Sequence, residues 1–328
     1  MFKADSKRYE KLPYDRLGYS GLMVAPISLG LWHNFGGAAA FENCREMVTG
    51  AFNLGVTHFD LANNYGPPPG SAETMFGKIL ASDLKSYRNE LLIATKAGYD
   101  MWPGPYGDFG SRKYLLSSLD DSLKRMGLDY VDIFYHHRPD PQTPIEETMG
   151  ALDAAVRSGK ALYAGLSNYN ATQLKAARAV LKEQKTPFVV NQVKYNMFDR
   201  AAELEMVQTA EVLGIGLLIY SPLAQGLLTN RYLNGVPQDS RAGGNSVFLK
   251  RDDVSNEMMQ KVVALSKLAA ARGQTVTQLA LAFVLRHSSV SSVIIGASRL
   301  AQIEECHRTM ENLTLSSKEL EAIELILQ

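Results

Sequence analysis

The sequence predicts an α/β fold, a closed (β/α)8 TIM barrel. Three observations carry that prediction: eight short apolar segments recur along the chain, amphipathic segments lie between them, and four of the intervening segments stop at glycine. The strand candidates are residues 24–30, 57–62, 90–98, 130–137, 161–168, 187–196, 214–223 and 291–298. Helix candidates with apolar residues at three- and four-residue spacing include 43–55, 112–127, 146–159 and 201–214. They end at Gly55, Gly127, Gly159 and Gly214, and glycine accepts the left-handed conformation that closes a helix. A two-residue alternation over 14–28, with turn residues Gly18 and Gly21, predicts a β-hairpin ahead of the barrel. Residues 225–255 break the rhythm with polar, Gly-rich sequence and predict a long loop after strand seven, a functional or mobile one.

At 328 residues the chain is long enough for one barrel, so residues 1–328 are expected to form a single domain. Lys plus Arg equals Asp plus Glu at 34 each, and this balance argues against nucleic acid or an anionic membrane as the main partner. The two cysteines, Cys44 and Cys306, form no CxxC motif and have no metal-ligand spacing, which points to a reducing cytoplasm. A polar N-terminus and the lack of any long apolar run predict a soluble, unexported protein with no membrane span.

Three strands end in residues capable of proton chemistry: HFDLANNY at 58–65, LLIATK at 91–96 and VDIFYHH at 131–137. They supply Asp60, Tyr65, Lys96 and His137 at the end of the barrel where active sites are built. Buried alone, Asp60 and Lys96 would be costly; paired, they are tolerable, and from these two residues a simple structural salt bridge reads equally well. Tyr65, in the loop NNYGPPPGS, tips the balance. It can lean over the mouth toward the lysine, whose cation is expected to lower the phenol pKa toward the working range and make Tyr65 a proton donor. His136 and His137 are adjacent on a strand and so point to opposite faces. Such a pair cannot readily clamp one ion, which disfavours a metal site and the lyase or isomerase chemistry it would serve.

HFDLANNYG, TKAG, DIFYHHR, GLSNY, YSPLAQGLL and IIGASR occur in the order seen in aldo-keto reductases, and the chain resembles that family over nearly its full length. GLWHNFG, NNYGPPPGSAE, YDMWPGPYG and SPLAQGLLTNRYLNG carry a strong likeness to its L-glyceraldehyde 3-phosphate reductase and potassium-channel β-subunit-like branches. The resemblance implies that Tyr65 is the general acid, Lys96 tunes it, Asp60 holds the lysine and His137 orients the substrate carbonyl. It implies NADPH-dependent reduction of small aldehydes, L-glyceraldehyde 3-phosphate and also methylglyoxal, with direct hydride transfer. The alternative it carries is a cofactor-sensing ancillary subunit with slow turnover. Relatives of this kind form tetramers or larger rings, so a homo-oligomer, tetramer or octamer, is expected.

No G-x-G-x-x-G follows the first strand and no P-loop motif occurs, so a nucleotide must be held another way. Barrels bind phosphate at the loops after strands seven and eight, where IIGASRLAQIEEC offers Gly296, Ser298 and Arg299 beside a helix start, suited to the 2′-phosphate of NADP. By resemblance, Ser167, Asn168 and Gln192 hold the carboxamide and Tyr220 stacks on the nicotinamide. Ser221, Leu223, Gln225 and Gly226 line the pyrophosphate path, Gln302 and Glu305 the adenosine side, and Trp32 borders both cofactor and substrate. Arg231 replaces a lysine of the family pattern, and Cys306 replaces an asparagine, with the loss of a hydrogen bond to adenine expected. Trp32, His33, Met101, Trp102 and Tyr106 are the aromatic and apolar candidates for the substrate mouth, and Arg112, Arg138 and Arg231 are the open choices for a substrate phosphate.

Overall fold

A computed structural model describes residues 2–233, 235–238, 240, 242–244 and 249–328. The barrel strands are preceded by a small hairpin, β1 (Asp15–Arg16) and β2 (Met23–Val24), paired antiparallel. The barrel itself is β3 (Ile27–Gly30), β4 (His58–Asp60), β5 (Leu92–Ala97), β6 (Val131–His136), β7 (Ala161–Ser167), β8 (Phe188–Lys194), β9 (Gly216–Tyr220) and β10 (Val290–Ile295). These eight are parallel and close on themselves through the β10–β3 and β10–β9 pairs. Each coincides with a strand expected from sequence. The apolar runs are continuous because a barrel strand is buried on both faces, as in β6, where every residue is buried.

The helices are α1 (Phe41–Asn53), α2 (Ser71–Ile79), α3 (Arg112–Met126), α4 (Ile145–Arg157), α5 (Ala171–Glu183), α6 (Ala201–Leu204), α7 (Met206–Leu213), α8 (Asn256–Ala271), α9 (Val276–Val284), α10 (Leu300–His307) and α11 (Ser317–Leu327). The four closing glycines all adopt positive φ, with Gly127 and Gly214 as the left-handed caps of α3 and α7. One expectation needs correction: the helix over 201–214 is broken at Glu205, whose φ of −141° is not helical. The first turn is anchored by Glu203, whose carboxylate accepts from Arg200 at 2.8 Å and Arg286 at 2.7 Å, while Met206, Thr209 and Ala210 of α7 are buried. Apolar periodicity does not report an ion-pair anchor of this kind.

Inside the barrel, side chains alternate with those that face the helices. Leu17 and Val24 of the hairpin region join Ala94, Ile133, Tyr135, Val190, Leu218 and Ile294 in one buried apolar cluster. The hairpin also ties to the barrel's lower rim, where the Tyr19 amide donates to the Gly214 carbonyl at 2.8 Å. Tyr135 fits because β7 offers Gly165, where a Cβ would sit 2.6 Å from the tyrosine ring. A small polar group lies beside it: Ser28 Oγ is 2.7 Å from Ser292 Oγ and 2.9 Å from His58 Nδ1. The long segment after β9 is present, with short 3-10 turns at Ala224–Gly226, Asn230–Tyr232 and Arg251–Asp253; residues 234, 239, 241 and 245–248 of the predicted loop lie outside the described residues. Among the described residues no helix is long and apolar enough to cross a membrane.

Two buried histidines make stability depend on pH. Burial pushes both His58 and His136 down to about 4. Their folded values lie below the unfolded value near 6.5, so between those limits the unfolded chain binds more protons, and stability falls as pH drops through that window. Each contributes on the order of 3 kcal/mol at full effect. The urea midpoint is therefore expected to fall steadily from pH 7 to pH 4.5, and less steeply in His136→Gln; the same slope in that variant would refute the assignment to His136.

Candidate active site

Four strand ends build the centre of the mouth. Lys96, fully buried near the end of β5, donates to Asp60 Oδ2 at 2.6 Å, to the Leu61 carbonyl at 2.7 Å and to the Tyr65 hydroxyl at 3.2 Å. Tyr65 reaches it because the chain after β4 keeps running along β5: the Leu61 amide donates to the Ala94 carbonyl and the Asn63 amide to the Lys96 carbonyl, both at 2.9 Å. A turn closed by the Tyr65 amide on the Ala62 carbonyl then brings the phenol back over the lysine. Asp60 is shared, its other oxygen accepting from Gln192 Nε2 at 2.9 Å.

His137 follows β6 and stays in register, with its amide donating to the Ala97 carbonyl. Its ring meets Tyr99 edge-on at 4.7 Å and Tyr65 at 5.8 Å, and it is 7% exposed. His136 points the other way and bonds the Tyr169 hydroxyl at 2.7 Å, as the alternation requires. Burial, with Lys96 adding, pushes His137 well below its ordinary value, so the imidazole is neutral; its Nδ1 is buried with no protein partner. Among the described residues no group of three or more His, Cys, Asp or Glu side chains has the arrangement of a metal site.

The expectation for Tyr65 is reversed. Burial, joined by the Asp60 carboxylate and by Tyr220, Tyr99 and Tyr135, holds its phenol well above the usual value rather than below it. The lysine's charge is already compensated by Asp60 at 2.6 Å, which leaves burial dominant. Lys96 itself is pushed down by burial against the pull of Asp60.

A hydrogen-bonded band continues from Gln192 across the other half of the mouth. Ser167 Oγ donates to the Gln192 carbonyl at 3.1 Å, Asn168 Nδ2 donates to Ser167 Oγ and to the His137 carbonyl, and the Tyr220 hydroxyl donates to Asn168 Oδ1 at 2.8 Å. Asn168, Ser221, Ala224 and Gln225 all have positive φ without being glycine, and Gly226 follows at +100°. Backbone held in this region by the surrounding fold clusters at ligand sites. Gln225 Nε2 bonds Ser221 Oγ at 3.0 Å, and Leu223 packs against the core. Thr229 caps the turn that carries Arg231.

At the β10 end, a Cβ on Gly296 would meet nothing within 4 Å. The Ser298 amide and hydroxyl converge on one acceptor, Gln302 Oε1, at 2.8 and 3.2 Å, and Arg299 beside them is exposed. Glu305 accepts from Thr275 at 2.8 Å. Cys306 is 4% exposed and packed in the core.

The other rim candidates divide. The Trp32 ring lies 5.9 Å from Tyr65 and 3.8 Å from His33. Met101 is partly buried against the core, Trp102 packs on Tyr114 of α3 at 5.4 Å, and Tyr106 is exposed with Lys113 over its ring. Arg112 donates to the Gly150 carbonyl of α4 at 2.8 Å. Arg138 is held by both oxygens of Asp108 at 2.7 Å and by the Gly98 carbonyl, and it stacks on Tyr99 and Phe109. Tyr99 was not singled out in the sequence, because only the fold brings it against His137.

The aldo/keto reductase family pattern matches residues 26–328. The chain is 51% identical over 328 residues to the L-glyceraldehyde 3-phosphate reductase of Escherichia coli strain K12, covering 99% of this chain and 95% of that protein. It is 36% identical over 324 residues to a probable voltage-gated potassium channel subunit beta of Arabidopsis thaliana, covering 97% of each, and 35% identical to a rice protein of the same description. With an eight-stranded parallel barrel, and with Asp60, Lys96, Tyr65 and His137 gathered at one mouth, the chain belongs to the aldo/keto reductase family of oxidoreductases.

Proposed function

We propose that this chain reduces small aldehydes to alcohols with NADPH, L-glyceraldehyde 3-phosphate and methylglyoxal among them. The observation that carries the reading is the Tyr65 hydroxyl 3.2 Å from a fully buried Lys96 that is itself bonded to Asp60. When bound, the dihydronicotinamide supplies the hydride. Tyr65 holds its proton firmly in the resting site and releases it to the carbonyl oxygen as negative charge develops there. The Lys96 ammonium beside it stabilises the phenolate left behind. Neutral His137 has one N–H to offer the same oxygen, and it fixes the carbonyl between ring and phenol. The hydride and the Tyr65 proton together convert C=O to CH–OH, and bulk water reprotonates the tyrosine through the mouth.

A nicotinamide dinucleotide fits the other half of the mouth on three grounds. Gly296 faces open space, the left-handed residues 221 and 224–226 bend the backbone after β9 into a cradle, and two donors at Ser298 already converge on an acceptor oxygen. In this reading Ser167, Asn168 and Gln192 meet the carboxamide and Tyr220 covers the ring, while Arg299 beside the start of α10 is suited to a 2′-phosphate. Ser221, Leu223, Gln225, Gly226 and Arg231 border the pyrophosphate path, with Gln302 and Glu305 beyond. The phosphorylated substrate is supported by the likeness to the Escherichia coli protein and methylglyoxal by the small aromatic mouth. Two free cysteines, Cys44 and Cys306, support a reducing cytoplasmic setting, and a homo-oligomer, tetramer or octamer, belongs to the same proposal.

A second reading, an NADPH-sensing subunit with slow turnover, is favoured by the likeness to the plant channel-subunit proteins. NADPH oxidation followed by absorbance with a panel of small aldehydes separates the two: rapid, NADPH-selective turnover supports the reductase, and tight binding without turnover supports the sensor. Tyr65→Phe is expected to lower kcat by roughly a hundred- to ten-thousandfold while NADPH affinity is retained, because the proton goes and the cleft stays. Unchanged turnover would remove Tyr65 as the donor. Arg299→Ala is expected to weaken NADPH about tenfold and NADH little, read by fluorescence titration. Equal weakening of both would place Arg299 elsewhere than at the 2′-phosphate.

A further inference from the structure

The segment that carries Tyr65 runs through a Gly/Pro loop directly into α2, and the first turn of that helix contains a carboxylate with no exposure at all, Glu73. A charged side chain there needs partners. Thr95 Oγ1 donates to Glu73 Oε1 at 2.5 Å, and Arg125 Nε of α3 donates to Glu73 Oε2 at 2.7 Å. Arg125 is steadied in turn by Ser122 Oγ at 3.1 Å. Its stem fills the space beside Gly70, where a Cβ would lie 2.9 Å from Arg125 Cδ.

Thr95 is the residue before Lys96 on β5. Alternation sends the lysine into the barrel and the threonine out to α2, so the two faces of one strand hold the two ends of the donor segment. On the inner face, Lys96 bonds the Leu61 carbonyl and the Tyr65 hydroxyl. On the outer face, Thr95 bonds Glu73, and the Ala72 amide beside Glu73 donates back to the Tyr65 carbonyl at 3.3 Å. A slide of α2 along β5 is therefore passed directly to the Tyr65 backbone. Glu73 also supports the charged form of Lys96 against the burial that lowers it. A buried ion pair alone is weak ground for stability, since apolar residues of like volume serve as well. What an apolar pair could not supply is the directional hydrogen bond to the strand that carries the lysine.

We infer that Glu73, bound to Thr95 and Arg125, is a positioning residue that sets the Tyr65 hydroxyl against Lys96, an inference that rests on the reading of Tyr65 as proton donor. Thr95→Val removes the hydroxyl at nearly constant volume and leaves the Glu73–Arg125 pair in place; Thr95→Ser keeps the hydroxyl. In Thr95→Val, kcat for aldehyde reduction is expected to fall about tenfold or more, with KM for the aldehyde and affinity for NADPH changed by less than about twofold, and Thr95→Ser is expected to restore it. In a Tyr65→Phe background the same change is expected to cost less than about twofold further, because the residue it positions has lost its proton. Hydrogen exchange over residues 61–72 is expected to accelerate in Thr95→Val and not in Thr95→Ser. An equal loss in the Tyr65→Phe background, no loss of kcat, or unchanged exchange would each overturn the inference. If the wild-type protein reduces no aldehyde, the donor reading falls on its own, and the exchange measurement alone decides whether Glu73 clamps the segment.

Discussion

A lysine ammonium with no solvent exposure is the constraint around which the upper half of this barrel is arranged. An unpaired buried cation is strongly disfavoured, and replacing the lost water takes several oxygens in a fixed geometry. Lys96 has three donors and finds three acceptors: a carboxylate, a main-chain carbonyl and a phenol, drawn from β4 and the loop that follows it. Each acceptor is then held in place by something else. Asp60 is fixed by Gln192 from across the barrel, and the Leu61 and Asn63 amides keep the loop parallel to β5. The geometry proposed for catalysis and the solution to a burial problem are the same set of bonds.

This arrangement also sets the buried charge apart from the apolar filling of the barrel. Leu17, Val24, Ile133, Val190 and Leu218 pack together where nothing needs to ionise. Beside them a small serine and histidine group is bonded within itself, Ser28 to Ser292 and His58 to Ser28. By the mouth the hydrogen bonds have become one continuous band from Tyr65 through Asp60 and Gln192 to Asn168 and Tyr220. A hydrogen-bonded band of this kind keeps its members in one orientation, which a site that must present a neutral imidazole and a protonated phenol together requires.

Much of this was legible in the sequence because it follows from alternation. Asp60, Lys96 and His137 end apolar strands, so their place at the mouth and the opposite facing of His136 follow from a period of two. The sign of the Tyr65 shift did not follow, because sequence shows that a cation is near but not that a carboxylate has already neutralised it or how many rings crowd the phenol. The break at Glu205 was hidden for a similar reason: Glu203 is anchored by Arg200 and by Arg286, and the second lies far along the chain. Glu73 lay inside a motif already noted, yet nothing in its spacing shows that Thr95 and Arg125 would close on it.

The two halves of the mouth differ in how their precision is obtained. Around Lys96 it comes from buried charge, where a displaced partner leaves a strong penalty and the geometry is self-enforcing. After β9 it comes from backbone: Ser221, Ala224 and Gln225 sit at positive φ without the freedom of glycine, a conformation held only where the surroundings over-determine it. Here the Asn196 side chain holds the Ser221 carbonyl at 3.0 Å and Gln225 bonds back to Ser221. A proton donor must be fixed to fractions of an ångström, and ion pairs on rigid strands achieve that. A long, flexible cofactor is better met by a shaped stretch of main chain on a loop, where amides can turn toward phosphates without carrying a buried charge of their own. On the proposed function, the division of the barrel mouth into a charged strand-end half and a bent-backbone loop half follows from what each half would hold.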